Sequence, residues 1–195
     1  MSKSFDLKTM IEDSRDVVFF TGAGISTESG IPDFRSPGGI WTKMAPIQFQ
    51  DFLNSEEMRR EYWHRKFATD KTLRIAKPNE GHYAIERLIS SGKASVVITQ
   101  NIDNLHQDSG VPEEKVIELH GNGTFASCLT CGTRYELDNI KQSFLGNHQL
   151  PICKFCGGLI KTATISFGQA MPLEPVRQAE SAASDCDLFI CIGSS

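Results

Sequence analysis

The stretch Asp16-Val17-Val18-Phe19-Phe20-Thr21-Gly22-Ala23-Gly24-Ile25-Ser26 sets the architecture. Its first six residues are mostly apolar, rich in β-branched and aromatic side chains, the pattern of a buried strand. Gly22 and Gly24 come at once after it, where the strand is expected to turn into a helix. Lacking side chains, they let the backbone approach a pyrophosphate, and a helix N-terminus adds partial positive charge. Thr27 stands where the six-residue dinucleotide fingerprint has its third glycine. Taken alone, the motif leaves both a nucleotide site and a plain tight turn open.

Further along the chain, Ala94–Thr99, Val116–Leu119, Ala163–Phe167 and Asp187–Ile192 read as strands. Helical spacing marks Phe5–Ile11, Pro46–Phe67 and Pro172–Ala183, and Pro78-Asn79 caps a helix holding His82, Ile85, Leu88 and Ile89. Strands alternating with helices predict an α/β fold, a Rossmann-like parallel sheet with helices on both faces. Right-handed crossovers gather the strand-to-helix loops on one edge, where ligands bind in open sheets.

Composition narrows the function classes. The 195 residues carry 24 acidic against 20 basic side chains, a net charge of −4 that argues against a nucleic-acid clamp. No apolar run approaches the roughly 18 residues of a membrane span, and residues 1–16 lack the apolar core of a secretory signal. A cytoplasmic location is expected, with an organelle matrix not separated from it.

Six cysteines are present, and four form two pairs, Cys128-Leu-Thr-Cys131 and Cys153-Lys-Phe-Cys156, 21 residues apart. Each pair has the reach to share one tetrahedral Zn²⁺, with redox pairs or disulfides as the alternative. Four thiolates fill the coordination sphere, so such a metal is structural. The expected division is residues 1–121 and 160–195 as the nucleotide-binding part, a helical insertion over about 37–77, and a zinc-ribbon module at 122–159. Cys186 and Cys191 read as buried thiols.

Three polar segments come after strands. Gly30-Ile31-Pro32-Asp33-Phe34-Arg35-Ser36 joins an acid, an aromatic plate and a guanidinium, suited to phosphate and ring contacts or to a surface pair. Thr99-Gln100-Asn101-Ile102-Asp103-Asn104-Leu105-His106 is dense in amide and acid groups. Leu119-His120-Gly121 puts a histidine at a strand's carboxyl end, with the reach for general-base work. His64, His82, His106 and His148 compete on residue type alone; position favours His120.

Together these segments, the four cysteines and Phe167-Gly168 resemble the sirtuins, NAD-dependent protein-lysine deacylases, over essentially the whole chain. The resemblance implies an NAD-binding segment in Gly22, Ala23, Gly24, Ser26, Asp33, Phe34, Arg35 and Trp41. It implies a ribose contact from Gln100 and a nicotinamide pocket from Asn101, Ile102 and Asp103, with Asn101 also catalytic. His120 matches the general base, and Gly193, Ser194 and Ser195 the adenosine loop. Ile165, Phe167 and Gly168 match the segment that pairs with substrate peptide by strand addition. The implied cofactors are NAD as co-substrate and one structural zinc, and the implied partners are acyl-lysine proteins or peptides.

The implied chemistry starts with the acyl oxygen attacking the ribose carbon as nicotinamide leaves; a ribose hydroxyl deprotonated by His120 then attacks the acyl carbon. The products are nicotinamide, free lysine and O-acyl-ADP-ribose. Acetyl is the expected acyl group. Tyr62 and Arg65, three apart on a helix, resemble the Tyr-x-x-Arg pair of succinyl- and malonyl-removing members, and the surrounding pattern resembles the lipoamidase-like branch. The alternative is a buried Tyr62 and a solvated Arg65. Gln169 stands where the family usually has Glu, which bears on peptide preference. Mono-ADP-ribosyl transfer and a non-catalytic, zinc-stapled nucleotide-binding fragment are the competing functions. The ending, straight off a strand, carries a further expectation of C-terminal truncation by roughly 40 residues, since another strand–helix–strand unit needs at least about 30.

Overall fold

The computed structural model describes residues 6–33 and 45–194. Phe34, Arg35, Trp41 and Ser195, all expected to bind cofactor, lie outside the described residues.

Among the described residues four strands form a parallel sheet: β1 (Val17–Thr21), β2 (Ala94–Thr99), β3 (Val116–Glu118) and β7 (Leu188–Ile192), in the order β3-β2-β1-β7. One face packs Val17, Phe19 and Val97 under Ile85 and Ile89 of the helix Glu80–Ser90. The other packs Val18, Ile98 and Ile117 under Ala179 and Ala182 of the helix Leu173–Asp185. Both faces of the inner strands are covered, which is why they are apolar without alternation. β7 lies at an edge of the described sheet. Cys191 on it is exposed and Cys186 only partly buried, so neither is the buried thiol expected from its apolar surroundings.

The remaining strands, β4 (Gly121–Cys128), β5 (Arg134–Glu136) and β6 (Ile160–Thr164), make an antiparallel sheet ordered β5-β4-β6. The strand expected over Ala163–Phe167 as part of the parallel sheet is therefore β6, shifted towards the N-terminus and placed in the other sheet. β6 pairs antiparallel with β4, Ile160 opposite Cys128 and Thr164 opposite Gly121.

The helical segment Pro46–Phe67 is two helices, Phe49–Asn54 and Glu56–Ile75, split at Ser55, whose hydroxyl accepts the Met58 N–H at 3.2 Å and caps the second. Trp63 and Phe67 of this second helix are buried with Ala126, Leu137, Ile140, Phe144 and Ile160. The insertion thus shares its core with the cysteine-bearing sheet. Asp70, 2 % exposed, ties the two further: Lys66 reaches it at 3.3 Å, Arg74 at 2.5 Å, and Lys141 of the helix Leu137–Asn147 at 3.6 Å.

Candidate active site and metal centre

The carboxyl ends of β1, β2 and β7 meet. Gly22 N–H donates to the Ile192 carbonyl at 3.0 Å and Gly24 N–H to Gly193 O at 2.9 Å. A Cβ on Gly22 would lie 2.7 Å from Gly193 O, and one on Gly24 2.7 Å from Gly193 Cα. The glycines are thus needed for the two loops to interlock, a use the fingerprint does not announce. The helix expected after them is a 3₁₀ segment, Ala23–Ser29.

Beside this junction lies a cavity of about 390 Å³. Its lining includes Ala23, Ser26, Asn101, Ile102 and Asp103 from the loops after β1 and β2, and Tyr62, Arg65, Thr162, Thr164 and Phe167 from the helix Glu56–Ile75, β6 and the segment after it. Ile31 and Pro32 also reach it, and Asp33, next along the chain, is half-buried. Sequence motifs nearly 80 residues apart are joined there by hydrogen bonds. Asn101 Nδ2 donates to Gly22 O at 3.1 Å and to Ser26 Oγ at 3.2 Å. Ser26 Oγ–H donates to Asp103 Oδ2 at 2.7 Å, and Leu105 N–H to Asp103 Oδ1 at 3.0 Å. Asn101 and Asp103 are each 7 % exposed, so these bonds hold polar groups in a nearly dry wall.

His120 lies just beyond β3 and does not line the cavity itself. Its Nδ1 lies 2.9 Å from the Gln100 carbonyl. A carbonyl oxygen can only accept, so Nδ1 carries the proton and the neutral ring presents its lone pair at Nε2. The His120 carbonyl accepts the Ile165 N–H at 2.8 Å, which fastens the start of the Ile165–Gly168 segment to this histidine. Gln100 is also held by Ser194, whose hydroxyl donates to Oε1 at 3.2 Å. Gly168 sits at φ +78° in the next turn, braced by Ser166 N–H donating to Gln169 Oε1 at 3.1 Å.

Tyr62 and Arg65 both reach the cavity, and both are already engaged. The Tyr62 hydroxyl hydrogen-bonds Thr162 Oγ1, and Thr162 Oγ1 lies 2.8 Å from Thr164 Oγ1. Burial raises the Tyr62 pKa. Arg65 Nε pairs with Glu61 at 2.6 Å, and its Nη1 donates to the Ala45 carbonyl at 2.7 Å.

Two residues behind the cavity lining, Lys161 and Asn79, are not among those expected from the sequence. Lys161 is fully buried, and burial lowers its pKa to about 8. Its ammonium donates to the Thr164 carbonyl at 2.5 Å and stands 5.6 Å from the Tyr62 ring centre. Asn79 Nδ2 donates to the Ile25 carbonyl at 2.7 Å and to Ser29 Oγ at 2.9 Å, clamping the glycine loop. A lysine in an otherwise small-residue strand was the available signal for the first. For the second, the cap position hid a further role.

The four cysteine sulfurs lie within 4.8 Å of one another. Cys128 and Cys156 are 3.5 Å apart and Cys131 and Cys153 3.6 Å, far beyond a disulfide bond. Four thiolates about 2.3 Å from a tetrahedral zinc would stand about 3.8 Å from each other. The donor set therefore fits one Zn²⁺. Tyr135 Oη donates to Cys153 Sγ at 3.1 Å and holds that thiol down to about 6, favouring the thiolate a metal needs.

The Sir2 family model matches residues 22–195. The chain is 54 % identical over 189 residues to NAD-dependent protein deacetylase 1 of Bradyrhizobium diazoefficiens, covering 97 % of this chain and 74 % of that protein. It is 52 % identical over 189 residues to the NAD-dependent protein deacetylase of Rhodopseudomonas palustris, covering 97 % and 75 %. Among solved structures, Sir2 with a p53 peptide and NAD⁺ superposes at TM-score 0.83 and 34 % identity, covering 96 % of this chain and 74 % of that one. Sir2 bound to an acetylated peptide gives TM-score 0.82 at 32 % identity, covering 97 % and 76 %. The chain belongs to the Sir2 family.

Proposed function

We infer that the chain removes acyl groups from protein lysine side chains with NAD as co-substrate, giving nicotinamide, free lysine and O-acyl-ADP-ribose. The observation that carries this is the His120–Gln100 hydrogen bond, which leaves Nε2 as a base beside the residue expected to touch the ribose. Asn101 and Asp103 form the nicotinamide side of the cavity, where a nearly dry wall suits a ribose carbon gaining positive charge. Gly22, Ala23, Gly24, Ser26, Gly193 and Ser194 frame the phosphate and adenosine side. Ile165, Phe167 and Gly168 receive the peptide.

Acetyl and other neutral acyl groups are the proposed substrates. Glu61 neutralises Arg65 and Thr162 engages the Tyr62 hydroxyl, so neither is free to meet a distal carboxylate without losing a partner. The zinc is structural, and its module works together with the helices over 49–75. We propose that this unit extends from Gly121 to Thr164, running from β4 to β6. The reduced cysteine cluster supports a cytoplasmic location, and no described helix is long and apolar enough to cross a membrane.

Incubation with NAD and acetyl-, butyryl- and succinyl-lysine peptides, read by mass, tests the reading. Deacetylated peptide and acetyl-ADP-ribose are expected, with succinyl turned over more slowly. No deacylated peptide from any substrate, with ADP-ribose appearing on an arginine or acidic side chain instead, would replace this reading with ADP-ribosyl transfer.

A further inference from the structure

Two buried imidazoles lie behind the cavity wall, and the catalytic scheme uses neither. His82 is 0 % exposed on the helix Glu80–Ser90 and His106 is 2 % exposed on the short helix Leu105–Asp108. Their ring centres are 5.0 Å apart at a tilt of 56°. Each has one nitrogen without a hydrogen-bond partner among the described residues, His82 Nε2 and His106 Nδ1.

The hydrogen bonds they do make fix where the protons are. Asn79 N–H points at His82 Nδ1 at 3.3 Å, and a backbone N–H can only donate. The neutral His82 ring therefore carries its proton on Nε2, an orphan donor. On the other ring, His106 Nε2 lies 2.9 Å from Thr21 Oγ1. The Thr21 hydroxyl gives its own proton to Thr99 Oγ1 at 2.9 Å, so it must accept from His106. His106 then carries its proton on Nε2 and leaves Nδ1 as an orphan acceptor. The two unmet needs are complementary, on rings whose centres lie 5.0 Å apart.

We propose that His82 and His106 pair as neutral imidazoles, with His82 Nε2–H donating to His106 Nδ1 through one buried water, and that the pair positions the nicotinamide-side wall for the first reaction step. The resulting chain of donors runs from Asn79 N–H through both rings and Thr21 to Thr99 Oγ1. Thr99 Oγ1 also accepts the Asn101 N–H at 3.0 Å. Both ends grip that wall. Asn79 clamps the glycine loop through Ile25 and Ser29, and Asn101 reaches Gly22 and Ser26. A proton added to the chain would convert an acceptor into a donor and leave two donors facing each other. Burial protects against this. It pushes His106 down to about 3, with the neighbouring His82 as the second cause. Burial also lowers His82, against the pull of Asp103. The inference rests on the proposed function, in which Asn101 and Asp103 flank nicotinamide.

Side-chain ¹⁵N NMR of the full 195-residue chain tests the pairing without any variant. Both rings are expected as neutral Nε2–H tautomers that stay neutral between about pH 7 and 8. An Nδ1–H proton on either ring, or a protonated ring in that range, overturns the pairing. The positioning role is read by nicotinamide release at saturating NAD. His106→Phe is expected to slow release about tenfold with little change in the KM for peptide, and His106→Gln, which keeps a donor for Thr21, to recover much of the rate. A folded His106→Phe at the wild-type rate overturns the role. So does a wild-type chain that shows the drawn tautomers but releases no nicotinamide, and that outcome also sinks the deacylase reading.

Discussion

The two sheets bury their cores by different means. The parallel sheet is covered on both faces by helices connected to its own strands, with Ile85 and Ile89 on one side and Ala179 and Ala182 on the other. The antiparallel sheet has three strands among the described residues and packs beside the four-cysteine cluster and under Trp63 and Phe67, which come from a helix more than 45 residues before it. The cavity lies between the two. Asn101, Asp103 and Ser26 belong to the first half; Tyr62, Thr162 and Thr164 belong to the second. Disturbing the zinc half should therefore loosen the acyl side of the cavity while the nucleotide side stands.

Zinc removal is the harshest way to set the halves apart, since structural zinc sites contribute on the order of 10 kcal/mol to their modules. Trp63 is fully buried in the shared core, and Trp41 is the other tryptophan. In a Trp41→Phe background, chelation should shift Trp63 emission to the red. Hydrogen exchange should stay protected in β1 and β2. Simultaneous loss of protection in both sheets would show that the halves are one cooperative unit.

Much of the first half was legible because its rule is simple. Strands covered on both faces read as continuous apolar runs, and β1, β2, β3 and β7 lie where those runs are. Thr21 and Thr99, polar residues ending two such runs, turn out to be register partners. In the second half the cysteine spacing was legible, since two short-range pairs constrain their own geometry. The sheet that holds β6 was not, because its residues do not name their strand partner. Nor could helical periodicity say that Trp63 would pack against the zinc sheet. His82 and His106 gave no signal of their pairing, because it depends on the docking of one helix beside another.

Trp63→Ala probes the same division at smaller scale. Emptying that position should cost about 3–5 kcal/mol, seen as a lower melting temperature, with turnover of acyl substrates falling more than NAD affinity. Equal losses in both would mean that the core supports the whole cavity rather than its acyl side.

The titration of Lys161 is a subtler probe of the zinc half. Its pKa of about 8 when folded is below the ordinary lysine value of 10.5. Below about pH 8 both folded and unfolded chains hold this proton, so it adds no slope there. Between about 8 and 10.5 only the unfolded chain holds it, so this group makes stability rise with pH, by at most about 3 kcal/mol. Denaturant melts across that window should show the rise in the wild type and a flatter profile in Lys161→Met. An identical slope would place the lysine in contact with water.

Whether His120 is the base acting after nicotinamide leaves is decided by a mass readout of His120→Ala with NAD and acetyl-lysine peptide. A base at that step means that nicotinamide is still released on mixing while free lysine and acetyl-ADP-ribose fall by at least about 100-fold, the scale of a lost general base. Full deacetylation by the folded variant would rule that role out.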